Sequence, residues 1–434
     1  MATEHADVVI IGAGLAGAAA AAWLGERGLA VVVLEARDRV GGRGFARPFA
    51  GTDELLDFGG SWITPWQHTI RGLCERHGIA LRPRHPVTAR RWFRDGALHH
   101  DGPVAMQDLR AHERALARIA ADSAFVLKGI TQDEQERSLI GISFAGYLDR
   151  IAAPQATKDL CTAWWTVSGN GAHDVVPAAE FLHACTHSDN TPEGICECWA
   201  DSLVGGVMAL CARLIDASGA RLELDCPVQR VRHNGDGATI AHARGSLQAK
   251  AVLLATGLNP LQGIVFDPPL PEPKAAAVAM GHPGRAVKLW ARVTGVPVGV
   301  LGTGGGTGIE WLFAERALAD GTTLLVGFGL ASPALDLARR SDVAAAVARF
   351  FPEAELISYD WHDWIADPWS RGTWVASTLG AEAATGYANW SRTGRLAFAS
   401  SDLAEEGAGW FDAAATSGEA AAREIAQLLG RNAV

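Results

Sequence analysis

The chain has 434 residues, with 38 basic against 48 acidic side chains, a formal charge of −10, and 48% apolar residues. That length allows two or three domains with a sizeable core, and the apolar fraction excludes a disordered chain. The acidic balance argues against nucleic acid or an anionic membrane as the main partner.

Glu4, His5 and Asp7 stand where a secretory leader would carry cationic residues. The expected location is therefore the cytoplasm. Seven irregularly spaced cysteines, with Cys196 and Cys198 as a lone C-x-C, read as reduced thiols rather than as disulfides or a zinc site.

Asp7–Ile11 is a continuous apolar run, the pattern of a strand buried on both faces. The uncharged stretch Val8–Gly25 is too short and too glycine-broken for a membrane span, and reads instead as strand, turn and Ala-rich helix. Ala30–Leu34 is a second buried strand ending on Glu35, which completes a right-handed β-α-β unit. Between these strands lies Gly12-Ala-Gly-Leu-Ala-Gly17. With 49 glycines in the chain a bare G-x-G-x-x-G match is cheap, and it is the strand-before, helix-after context that makes it a dinucleotide site. Gly12 makes the tight turn, Gly14 admits a pyrophosphate, Gly17 allows close helix–strand packing, and Ala16 lies in the first helical turn facing the phosphates. Glu35 would accept hydrogen bonds from a ribose diol.

Further along, helical stretches are expected over 107–128 and 133–150, mixed with Trp, His and Pro. A β-rich block runs from Arg221 to Ala255, with a hairpin turn at Asn234-Gly235 in which Gly supplies a positive φ. Ala286–Val293 alternates as a strand, placing Lys288, Trp290 and Arg292 on one face and Val287, Leu289 and Ala291 on the other. Asp412–Leu429 is a final helix.

Glu35-Ala-Arg-Asp-Arg-Val-Gly-Gly-Arg43 and Asp57-Phe-Gly-Gly-Ser-Trp62 make the chain resemble the flavin-containing monoamine oxidase family. The resemblance implies an α/β fold: a Rossmann-like FAD-binding domain of the GR2 type, interleaved with an α+β substrate domain. The FAD-binding domain would comprise 1–80, 200–275 and 355–434, and the substrate domain 81–199 and 276–354. It implies that Arg37, Gly42, Arg43, Gly59, Gly60 and Ser61 wrap the pyrophosphate and flavin edge, and that Val228 offers backbone to the adenine. Asp402, in Ala399-Ser-Ser-Asp402, stands where the family carries Glu for a ribityl contact; the shorter acid and the Ser in place of Gly depart from the pattern. Phe411 would present its N–H to the flavin N1/O2 edge.

The same resemblance implies amine oxidation by hydride transfer to flavin N5, giving an imine that water converts to aldehyde or ketone, with O2 reduced to hydrogen peroxide. Lys288 is one of only five lysines among the basic residues, and in this strand context it would hold a water at N5. Trp374 and Trp410 match the family's aromatic cage. Thr373 stands where covalently flavinylated members carry Cys, so FAD is expected to bind non-covalently. Pocket walls are expected from Trp164, Trp165, Trp199, Trp311 and Phe313. His173, His183 and His187 lack the partners of a metal site, and no metal is expected. A homodimer is a family-level expectation.

Two other oxidations remain open. An L-amino-acid oxidase would aim Arg91, Arg285 or Arg292 at a carboxylate. An amine dehydrogenase or desaturase would pass electrons to a carrier instead of O2.

Overall fold

The computed structural model describes residues 4–127, 139, 141–188, 190–305, 308–380, 390–404 and 406–431. The expected helix at 133–150 is therefore described only in part, as Phe144–Arg150.

The chain opens with strand β1 (Glu4–Ile11), helix α1 (Leu15–Gly25) and strand β2 (Val31–Leu34). Strand β1 lies between β2 and Gly245–Leu254, parallel to both, with Val8 facing Val31 on one side and Ala251 on the other. Central position in a parallel sheet explains the unbroken apolar run, since both faces are covered. This sheet has eight strands, and Leu396–Phe398 joins it against Gly245–Leu254. Helix α1 is apolar all round because it is enclosed. On one side the C-terminal helix Phe411–Leu428 packs so closely that a Cβ on Gly418 would lie 2.2 Å from the Ala16 carbonyl oxygen.

A second sheet of seven strands runs in the order Glu355–Trp361, Ala286–Thr294, Thr323–Leu330, Ile309–Ala317, Val300–Thr303, Ala89–Arg94 and Ala97–His99. In the Ala286–Thr294 strand the expected alternation holds. Leu289, Ala291 and Val293 pack under the helix Arg340–Phe350, while Trp290 joins the aromatic core on the other face. A small sheet made by Trp62–Ile63, Asp201–Leu203 and Leu81–Pro83 gives Trp62 to the aromatic core and Ile63 and Leu203 to the core that holds α1.

Two expectations need correction. Residues 355–361, assigned to the cofactor half, form an edge strand of the second sheet, antiparallel to Ala286–Thr294. The turn at Asn234-Gly235 spans four residues, and Gly235 is not in the positive-φ region. Asn234 Oδ1 accepts from the N–H groups of Asp236 and Gly237, so the side chain closes the turn that glycine was expected to make.

Candidate active site

A cavity runs from the Gly12–Gly17 turn to Trp374 and Trp410. At its first end Gly12 has φ +110°, and a Cβ there would strike the Ala255 carbonyl oxygen at 2.5 Å. A Cβ on Gly17 would lie 2.0 Å from the Gly12 oxygen, so only glycine lets strand, turn and helix meet. Gly12, Gly14, Leu15 and Ala16 line the cavity, and α1 begins there without a side-chain cap. Its first-turn N–H groups and the positive end of its dipole form an anion site.

Glu35 is buried beside this turn. Its Oε2 accepts from the Ala13 N–H (2.8 Å) and its Oε1 from the Arg37 N–H (2.9 Å), leaving a lone pair on each oxygen for a diol. The Arg37 guanidinium is held by Asp367 (2.9 Å) and Ser370 (2.7 Å). Burial opposes ionisation of Asp367, yet hydrogen bonds from His362 and Arg37 and the Trp369 N–H hold it at about 2. Gly42, Val228 and Trp369 complete this end.

In the middle, Arg43 lines the cavity and donates to the Thr373 carbonyl (2.6 Å) and to Asp402 Oδ1 (2.6 Å). The placement of Asp402 differs from expectation. Its side chain is fully enclosed, Oδ2 accepts from the Leu258 N–H (3.0 Å), and the cavity wall at this level is Ser400 and Ser401. Asp402 is thus the anchor of Arg43, one methylene too short to reach past it.

At the far end Gly59, Gly60, Lys288, Trp374, Trp410 and Phe411 share the wall. The ring of Phe411 lies against Gly60, where a Cβ would meet it at 2.4 Å. Phe411 opens the C-terminal helix, which also lacks a side-chain cap, so a second helix N-terminus faces the same cavity. Lys288 is buried, its Nζ donating to the Gly59 carbonyl (2.9 Å) and to Ser61 Oγ, with Trp62, Trp290 and Phe328 rings 5.4–5.6 Å away. Burial pushes the ammonium down to about 8, against the opposing pull of Asp57. Ser61 therefore acts through Lys288 and does not itself line this cavity.

Trp374 is fixed by its Nε1–H to the Ser168 carbonyl (2.7 Å), and Trp410 packs on Trp66 at 5.3 Å. Asn170 was not foreseen. Buried at the C-terminus of the helix Gln155–Gly169 in the left-handed region, it donates to the Trp374 carbonyl and accepts from Thr373 Oγ1 (2.7 Å) and the Ala286 N–H. It thereby ties the first indole to the strand that carries Lys288. The available signal was Asn directly after Gly169, a common helix stop.

The expected pocket walls are elsewhere. Trp164, Trp165, Trp199, Trp311 and Phe313 pack in the aromatic core and none lines the cavity; Trp199 stacks on Trp62 at 5.2 Å. Arg91 pairs with Glu353 and Arg292 with Asp320, and neither these nor Arg285 borders the cavity. Among the described residues no group of three His, Cys, Asp or Glu is placed to hold a metal ion.

An elongated cavity with an uncapped helix N-terminus at either end, a diol acceptor at one and an aromatic wall at the other fits a dinucleotide carrying a large planar ring. Comparison with known proteins gives the class. The sequence profile of the flavin containing amine oxidoreductases matches residues 15–426, and the chain belongs to that family. It is a flavin-dependent amine oxidoreductase with FAD as cofactor.

Among its relatives, (S)-6-hydroxynicotine oxidase of Paenarthrobacter nicotinovorans is 27% identical, the match covering 96% of this chain and 99% of that protein. Pseudooxynicotine dehydrogenase of a Pseudomonas species is 26% identical over 98% of this chain and 87% of its own. The fold matches putrescine oxidase bound to putrescine with a TM-score of 0.87 at 24% identity, covering 99% of this chain and all of that one. It also matches cyclohexylamine oxidase from Brevibacterium oxydans with a TM-score of 0.81 at 21% identity, over 98% and 100% of the two chains.

Proposed function

We propose that the protein oxidises a primary or secondary amine of low polarity to an imine, which water hydrolyses to aldehyde or ketone, with O2 as electron acceptor and hydrogen peroxide as product. The observation that carries this reading is the sharing of one cavity wall by Lys288, Trp374 and Trp410, continuous with the dinucleotide end. FAD, when bound, supplies the hydride-accepting ring.

The chain's residues supply position and polarity. Gly12, Gly14, Ala16, Glu35, Arg37, Gly42, Arg43 and Val228 hold the nucleotide end; Gly59, Gly60 and Phe411 flank the ring. Trp374 and Trp410 exclude water and orient the amine as two walls of a cage, and no ring contact couples them to each other among the described residues. Lys288 holds a water, and its lowered affinity for protons lets it exchange one near neutral pH. Thr373 offers no thiol, so FAD is held non-covalently. The enzyme is read as a cytoplasmic homodimer; among the described residues no helix is long and apolar enough to cross a membrane.

A second reading, a dehydrogenase using an electron carrier, is favoured by the names of two relatives and differs only in the acceptor.

The test is a panel of amines mixed anaerobically with purified flavin-loaded enzyme. At least one low-polarity amine should bleach the oxidised flavin band, and its α-carboxylated analogue should not. Failure of every amine would overturn the reading. Rapid reaction of photoreduced enzyme with O2 is expected, and a sluggish reaction would favour the carrier.

A further inference from the structure

A second, smaller cavity of about 50 Å³ lies next to Lys288, lined by Asp57, Ser61, Arg82, Glu315 and Arg316 together with Trp62 and Trp290. Lys288 lines the cofactor cavity, Ser61 lines this one, and the Nζ–Oγ hydrogen bond joins the two. Asp57 is fixed beside Lys288 by its own carbonyl, which accepts from Trp290 Nε1 at 2.8 Å. Two carboxylate oxygens here, Asp57 Oδ1 and Glu315 Oε2, are buried without a hydrogen-bond partner. Buried acceptors left open in a polar cavity imply ordered water.

We propose that Asp57, Ser61 and Glu315, with water in this cavity, form a proton path that serves Lys288 from outside the cofactor cavity.

The proposal rests on the amine-oxidation reading. An amine arriving as R–NH3⁺ must lose one proton before its C–H bond can break as a hydride. That proton bonds to neutral Lys288 Nζ through cavity water. Nζ passes a proton to Ser61 Oγ, whose hydroxyl proton moves through water to an ionised Asp57 or Glu315 and on to solvent. One N–H bond breaks and one O–H bond forms overall, and no electrons are exchanged in the relay.

Electrostatics agree with the geometry. Burial raises Asp57 to about 7 against the pull of Lys288, Arg316 and Arg82, and raises Glu315 to about 7 against Arg84, Arg316, Lys288 and Arg82. Arg316 is partly neutralised by Glu54 at 2.7 Å, and Arg84 lies over the rings of Trp62, Trp199, Trp311 and Phe313. Both carboxyls thus take up and release a proton in the range where Lys288 does.

The experiment compares the flavin-loaded parent with Glu315→Gln, Asp57→Asn and Ser61→Ala. Infrared titration of the resting enzyme without amine should show protonated carboxyl groups appearing with a midpoint near 7, and each carboxamide variant should lose one of them. In turnover, each variant should lower kcat about tenfold at neutral pH, leave KM unchanged, and regain rate when a small buffer base is added. Should Asp57→Asn fail to fold, because its carboxylate also sits against Gly206, Glu315→Gln and Ser61→Ala decide. Absence of neutral-range carboxyl groups in the parent, or unaltered pH profiles in the variants, would overturn the relay. If no amine reduces the parent, the amine reading fails, and the infrared titration still decides whether the carboxyls exchange protons near neutrality.

Discussion

The two ends of the main cavity are built by opposite means. The nucleotide end is made of backbone: glycines whose missing Cβ atoms let Gly12, Gly17 and Ala255 approach, and a bare helix start. The reactive end is made of large side chains, Trp374, Trp410, Phe411 and Lys288, brought from three places in the sequence and held by Asn170, Ser61 and Ser168. The nucleotide end is therefore intolerant of an added atom at Gly12 or Gly17. The reactive end should tolerate substitutions structurally while losing rate, and that asymmetry can be attacked from either side.

The largest effect is expected from Gly17→Val, which drives a branched side chain into the Gly12 carbonyl; the cost exceeds about 3 kcal/mol, and the protein should be recovered without flavin absorbance. Asp402→Ala, which leaves Arg43 unpaired, should destabilise by about 3 kcal/mol, read as a lower midpoint in denaturant. Normal stability there would show that cofactor phosphate or solvent suffices for Arg43. Lys288→Met should lower turnover on the order of 100-fold with FAD still bound; unchanged kinetics would remove Lys288 from the chemistry. Trp410→Ala should reduce kcat/KM about tenfold, in line with the loss of one aromatic wall, with flavin content and melting temperature little altered.

The smallest effect concerns acid stability. Asp367 is held at about 2 when folded, against 3.8 for the free group. Its contribution is complete above pH 4 and is lost as pH falls from there towards 2. The Asp367 side chain is only 8% exposed, so the contribution is on the order of 2 kcal/mol. Asp367→Asn should lower stability by about that amount above pH 4 and flatten the profile between pH 4 and 2, where the parent loses the contribution.

The same contrast explains what could be read from the chain. The Gly12–Glu35 unit is local, and strand period and glycine sterics specify it within 25 residues, so its elements were legible almost to the residue. Strand alternation likewise gave the correct neighbours of Lys288. The aromatic residues were not legible in this way. Trp199 and Trp311 are chemically identical to Trp374 and Trp410, and only long-range packing decides which indoles stack on each other and which face open space. The surroundings of Asp402 were not legible, because its partners Arg43 and Leu258 lie 359 and 144 positions away in the chain. The Ser61 contact with Lys288 spans 227 positions and has no local signature.

The close approach of Gly418 to Ala16 has a consequence for how the protein is made. The strand–turn–helix at residues 4–25 is roofed by the helix Phe411–Leu428, which is made much later, and Leu396–Phe398 must also arrive before the central sheet is complete. The nucleotide cradle therefore stays incomplete until residues 411–428 are released, and stable cofactor loading waits for them. Shortening the chain ahead of that helix would strip α1 of its cover and leave a soft, protease-sensitive amino-terminal half.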